Sequence, residues 1–174
     1  LKAQGIAILS KLPIQNIKSD YYYLSEETIP SEYIYEDVRT IARALLVVTV
    51  EASGKDFVVA TTHFTWTPDG EANDMQREHL TSLLETLEKF PEIILCGDFN
   101  APRGKEIFGK LAERYKDNIP VEYKTSLDGN LHRAGQLPYM VDVLFTTPEY
   151  TAKNVRLQDN VSDHMAIVAD IEKN

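Results

Sequence analysis

Two β-branched runs at residues 44–50 and 57–62, separated by Ala52-Ser-Gly-Lys-Asp56, constrain this chain more than any other feature. Neither run alternates apolar with polar residues, so each predicts a strand buried on both faces. The short Gly-containing connection predicts that they pair as a hairpin in the middle of a sheet. A sheet covered on both faces needs a layer on each side. With 174 residues, 43% of them apolar and 26% charged, the chain is long enough and ordinary enough in composition to supply those layers as one domain. Disorder and low-complexity or collagen-like sequence are excluded. No apolar run is long enough to span a bilayer.

The remaining elements fall around this hairpin. The run Gly5-Ile-Ala-Ile-Leu9, closed by Ser10 and Pro13, predicts a buried strand, and residues 21–24 a partner strand after the polar stretch 15–20. Leu80, Leu83, Leu84 and Leu87 recur at helical spacing behind a capping Asn73 or Asp74 and before Pro91. Ile93-Ile-Leu-Cys96 predicts a short buried strand. A second helix is expected from about Lys105, with Ile107, Phe108, Leu111 and Tyr115 on one side. Residues 140–145, 154–157 and 165–171 predict three further strands. This mixture predicts an α/β sandwich of two sheets with helices outside.

The acidic surplus, 27 Asp and Glu against 18 Lys and Arg, disfavours broad non-specific binding to duplex nucleic acid. The lone Cys96 excludes an internal disulfide and any Cys-based zinc spacing. A chain that begins with Leu1 rather than Met reads as a fragment or processed product, so a missing leader says nothing about export. The single cysteine and absent leader make the cytoplasm only a default.

Polar clusters fall where strands are expected to end. Thr61-Thr-His63 closes one strand and Asp98-Phe-Asn100 another; Asp142 interrupts the apolar Met140-Val-Asp-Val-Leu-Phe145; Ser162-Asp-His164 precedes the last strand. Histidines, aspartates and an asparagine gathered at one edge suit hydrolysis of a phosphate ester. A carboxylate can activate water, a hard divalent cation can polarise phosphoryl oxygens, and imidazole and amide groups can hold oxyanion charge. Each residue also has a plainer reading: His63 as a strand-end cap, Asp98 to Asn100 as a turn before Pro102, Asp163 as a turn residue. Asp142 is the most informative, because a carboxylate between Val141 and Val143 needs a donor, and His164 is the natural one.

Taken in order, these segments resemble the endonuclease/exonuclease/phosphatase superfamily, which includes DNase I, exonuclease III, the neutral sphingomyelinases and the inositol polyphosphate 5-phosphatases. The resemblance runs over essentially the whole of residues 1–174. It implies a two-sheet α/β sandwich of the DNase I-like type, truncated at its N-terminus to the C-terminal two thirds or so. It also implies that Asp98 orients or deprotonates the attacking water, that Asn100 and His63 contact phosphate oxygens, and that His164, oriented by Asp142, stabilises the pentacovalent centre. Asp163 and Asp98 would lie at an Mg²⁺ or Mn²⁺ site. Arg43 sits where some members place a phosphate-binding arginine, although a solvated charge at a strand start is an equal reading. The family's principal metal ligand, a Glu on an early strand, would precede Gly5 and is absent from this chain.

The sequence therefore predicts a divalent-metal-dependent phosphoesterase, a phosphodiesterase in preference to a monoesterase. The rival is a catalytically inactive scaffold or binding module of the same fold. The substrate, whether nucleic acid, nucleotide or phospholipid headgroup, is left open, as is the oligomeric state. Trp66 and Tyr21-Tyr-Tyr23 could stack on a base or headgroup, with packing the default.

Overall fold

The predicted hairpin forms the centre of the main sheet. In the computed structural model, which describes residues 5–25, 27–30, 34 and 37–174, strand β2 (Arg43–Ala52) pairs antiparallel with β3 (Lys55–Thr61). The turn between them places Ser53 and Gly54 at positive φ, the geometry that matches strand twist in a two-residue hairpin. On one side lies β1 (Ile14–Tyr23). On the other lie β4 (Ile94–Asp98), parallel to β3, and then β6 (Asp142–Thr146) and the short β5 (Lys116–Asp117). The order across this six-stranded sheet is β1-β2-β3-β4-β6-β5.

Helix α1 (Asp74–Leu87) covers one face, with Asn73 accepting the backbone N–H of Gln76 as its cap. Its stripe of Leu80, Leu83 and Leu87 is buried with Leu45, Val47, Leu95 and Phe145, alongside Ile107, Phe108 and Leu111 of α2 (Glu106–Ala112). Each such side chain contributes roughly 1.5–3 kcal/mol of burial. The other face of the sheet packs Phe57, Val59, Ile94 and Leu144 against a second sheet, the antiparallel pair β7 (Tyr150–Gln158) and β8 (Ala166–Lys173). The fold is an α/β sandwich of two sheets, as predicted. Among the described residues, no helix is long and apolar enough to cross a membrane.

Three elements differ from the sequence expectation. Residues 5–9 form no strand, and Leu9 is fully exposed. An apolar run becomes a strand only where a neighbour completes its ladder, and among the described residues none pairs with it. The polar stretch 15–20 is not a connection but most of β1, whose backbone pairs with β2 while its side chains stay in water. Polar side chains are what an edge strand tolerates. Third, β6 starts at Asp142, so that residue lies at the mouth of the strand rather than inside it.

Gly97 is the tightest point of the sheet. It has φ +139°, and a Cβ built there would lie 2.0 Å from the Thr62 carbonyl oxygen. Only glycine lets β4 approach the end of β3 this closely. Gly97→Ala is expected to cost at least about 2 kcal/mol of stability by urea denaturation, since strain and clash combine.

Candidate active site

The ladder between β4 and β6 ends with Asp98 opposite Asp142. By strand alternation both side chains share the face with Ile94, Cys96 and Leu144, towards the second sheet. Beyond Asp98 the chain turns sharply. Asn100 adopts φ +49°, and its N–H donates to Asp98 Oδ1 at 2.8 Å. The Asn100 Nδ2 donates to the Phe64 carbonyl at 3.0 Å, and the Phe64 N–H donates to the Asp98 carbonyl at 2.8 Å. These bonds stitch the loop after β4 to the loop after β3.

The loop after β3 carries His63, whose Nε2 stands 3.5 Å from Asp98 Oδ2. Arg43, the first residue of β2, is 3% exposed and donates to the His63 carbonyl at 2.8 Å. The solvated reading of Arg43 is thereby replaced by a buried one. Thr62 Oγ1 bonds both the Ala44 carbonyl and the Tyr22 hydroxyl, each at 2.8 Å. Behind the loop, buried His79 and Gln76 of α1 bond the Thr65 hydroxyl and carbonyl at 2.6 and 2.7 Å.

His164 arrives from the other sheet, in the loop before β8. Its Nδ1 lies 2.7 Å from Asp142 Oδ2, and its backbone bridges to Leu127. Asp163 is exposed, and its charge acts on His164. His63, Asp98, Asn100, Asp142 and His164 thus form one linked cluster, with Arg43 behind it and Asp163 at its rim.

The environment separates the protonation states of three groups. The hydrogen bond to Asp142 raises His164 to about 9, with Asp142, Asp98 and Asp163 adding attraction. Burial, then the Arg43 and His164 charges, lowers His63 to about 4. Burial, then repulsion from Asp142, raises Asp98 to about 7. At neutral pH the site therefore holds an imidazolium, a neutral imidazole and a carboxyl near its midpoint, a combination suited to proton abstraction beside developing negative charge.

Ligand atoms of Asp98, Asp142 and His164 all lie within 4.8 Å of one another. The two carboxylates fit a divalent cation of the Mg²⁺ or Mn²⁺ kind, whereas His164, held as an imidazolium by Asp142, offers a ligand nitrogen only after losing its proton. Asp163, expected among the ligands, is outside this cluster, and Asp142, expected only to orient His164, is within it.

Several contributors were not legible beforehand. Ser126 Oγ accepts the N–H groups of Val141 and Asp142, both at 3.1 Å, and so fixes the start of β6. Asp128 is 3% exposed and accepts the N–H of Asn130 at 2.9 Å and of Asn160 at 2.7 Å, tying two loops together. Asp128-Gly129-Asn130 reads as a turn by residue type alone; its burial comes from a contact 32 residues away. Trp66 is half-exposed on the His63 loop, while Tyr22 is buried and the Tyr23 ring packs at a tilt against His79.

A profile of the endonuclease/exonuclease/phosphatase family matches residues 2–164. Among solved structures, an endonuclease/exonuclease/phosphatase from Bacteroides vulgatus is similar at 18% identity and a TM-score of 0.66, over 94% of this chain and 67% of that one. The mannosyl-6-phosphatase of Bacteroides thetaiotaomicron matches at 12% identity and 0.65, over 93% and 67%. D. rerio TDP2, solved with a single-strand DNA product, matches at 16% and 0.61, over 93% and 69%. These likenesses show the fold, and the chain spans about two thirds of each of these proteins. A search of curated proteins returns no match.

Because Asp142 holds His164 protonated, Asp142→Asn is expected to return the His164 titration to the ordinary histidine range or below, as followed by NMR. The sign for stability follows. A raised histidine contributes below its unfolded value near 6.5, and that contribution is lost as pH rises towards 9; the variant should lose this dependence.

Proposed function

Because this chain belongs to the endonuclease/exonuclease/phosphatase family, we propose that it hydrolyses a phosphate ester with a divalent cation, and a phosphodiester in preference to a monoester. The observation that carries the reading is the Asp98, Asp142 and His164 cluster at one strand mouth, with His63 3.5 Å from Asp98. Asp98, with its carboxyl poised near neutrality, takes the proton of an attacking water. As the water oxygen bonds phosphorus, charge grows on the non-bridging oxygens, and the ester P–O bond breaks with its electron pair going to the leaving oxygen, which takes a proton from solvent. The imidazolium of His164, oriented by Asp142, meets that charge. Asn100 Nδ2 keeps a second hydrogen for a phosphate oxygen after bonding Phe64. Neutral His63 adds a donor without a further charge beside His164.

Mg²⁺ or Mn²⁺ would be held by the carboxylates of Asp98 and Asp142, with the exposed Asp163 at the rim adding negative charge, and when bound it supplies polarisation of the phosphoryl oxygens. The diester preference rests on charge. The local cations are Arg43 and His164, faced by three aspartates, and a monoanionic diester is repelled less than a dianionic monoester. Nucleic acid and phospholipid headgroups supply such a diester, and a nucleotide does so only when it is cyclic or linked to a second alcohol.

The test is hydrolysis of bis-p-nitrophenyl phosphate and p-nitrophenyl phosphate with Mn²⁺, with and without EDTA. The diester should turn over faster, and EDTA should abolish turnover. The rate should rise with pH as Asp98 ionises through about 7, a limb that bound cation moves lower, and fall as His164 deprotonates through about 9. No hydrolysis of either ester would favour the inactive-scaffold reading.

A further inference from the structure

We propose that His132 is a substrate-contacting residue of this site, donating its Nε2–H to the phosphate that His164 meets; the inference rests on the phosphoesterase reading above. The His132 ring stands edge-on to that of His164, with centroids 6.4 Å apart and planes at 65°. One phosphate group, with hydrogen bonds of about 2.8 Å to each ring, can bridge such a pair. His164 is already committed through Nδ1 to Asp142, which leaves its Nε2 for the substrate. His132 is also committed through Nδ1, but as an acceptor. The Ala134 N–H donates to its Nδ1 at 3.3 Å, so Nδ1 bears the lone pair and Nε2 bears the hydrogen.

A loop histidine is ordinarily a solvated bystander. This one is half-buried, and its backbone is fastened to the same elements as His164. The His132 N–H donates to the Asp128 carbonyl at 2.7 Å, and the Gly135 N–H closes the turn on the His132 carbonyl at 2.8 Å. Asp128 in turn donates its N–H to the Asp163 carbonyl at 2.9 Å, while its carboxylate holds the Asn160 N–H. Leu127 bridges to His164 itself. Both imidazoles therefore hang from one latched pair of loops, and their separation is set by hydrogen bonds rather than by chance proximity.

The test compares wild type, His132→Ala, His132→Gln and, as a control, the exposed neighbour Arg133→Ala, all hydrolysing bis-p-nitrophenyl phosphate with Mn²⁺. Loss of one hydrogen bond to a charged oxygen should raise KM about tenfold in His132→Ala, with kcat changed less than about twofold, since the contact exists before the reaction begins. His132→Gln, which keeps an Nε2–H donor, should recover most of the loss, whereas Arg133→Ala should match wild type. In parallel, inorganic phosphate titrated into the Mn²⁺-free wild type should shift the imidazole resonances of both His132 and His164. A His132→Ala variant with wild-type KM, or a phosphate-induced shift at His164 alone, overturns the proposal while leaving the phosphoesterase reading intact. No hydrolysis by wild type and no shift at either ring overturns both.

Discussion

Two carboxylates directly opposite each other on a β-ladder repel, and everything else at the mouth of this sandwich is arranged around that repulsion. Asp98 and Asp142 are Cα partners on the last rung between β4 and β6, where like charges destabilise pairing. The molecule answers on each side differently. Asp142 is neutralised by the His164 imidazolium at 2.7 Å. The Asp98 carboxylate accepts the Asn100 N–H and stands 3.5 Å from His63, and burial together with the Asp142 repulsion raises it to about 7. In the proposed reaction this asymmetry divides the roles, Asp142 orienting His164 and Asp98 acting as the base.

That arrangement needs two sheets. β4 and β6 belong to the main sheet, whereas His164 belongs to the loop entering β8 of the second. The core between the sheets, built on Ile94, Leu144, Tyr150 and Ile167, is what brings a histidine from one layer to an aspartate of the other. The final adjustment is made by loops. Ser126 pins the start of β6, and Asp128 joins the 128–135 loop to the segment that carries Asp163 and His164. On the opposite flank, Arg43 and the Thr65–His79 pair hold the His63 loop from behind.

The legible part of this fold was the part written in local pattern. The unbroken β-branched runs gave β2 and β3, the leucine spacing gave α1, and the residue types at strand ends drew attention to His63, Asp98, Asn100 and His164. Asp142 stood out because its apolar neighbours made an unpartnered carboxylate implausible. What escaped was what depends on contacts distant in sequence. Residues 15–20 carry no strand signal, because an edge strand is specified by its partner's ladder rather than by its own side chains. Residues 6–9 carry the signal but have no described partner, so hydrophobicity alone did not make a strand. Asp128 and His132 lie in a stretch whose composition says only turn, and Arg43 reads from sequence either as a phosphate contact or as a solvated strand-start charge, because its carbonyl acceptor lies across the hairpin.

The charge balance then separates surface from site. The chain carries a net charge of −9, and three aspartates line the cluster, yet the groups proposed to meet a phosphate are a cation and neutral donors: His164, His63, His132 and the Asn100 amide. Burial is what permits this. His63 lies between Arg43 and His164, and withdrawal from water together with two neighbouring cations keeps it uncharged, so it adds a hydrogen bond without competing with His164 for the aspartates. If His63 were as exposed as a surface histidine, it could share the Asp98 charge as an imidazolium, and the carboxylate would lose the basicity that burial and the Asp142 repulsion give it. Base, cation and neutral donor are therefore not three independent residues. They are three consequences of placing two aspartates on one rung and then deciding, through burial, which of the surrounding groups is allowed to be charged.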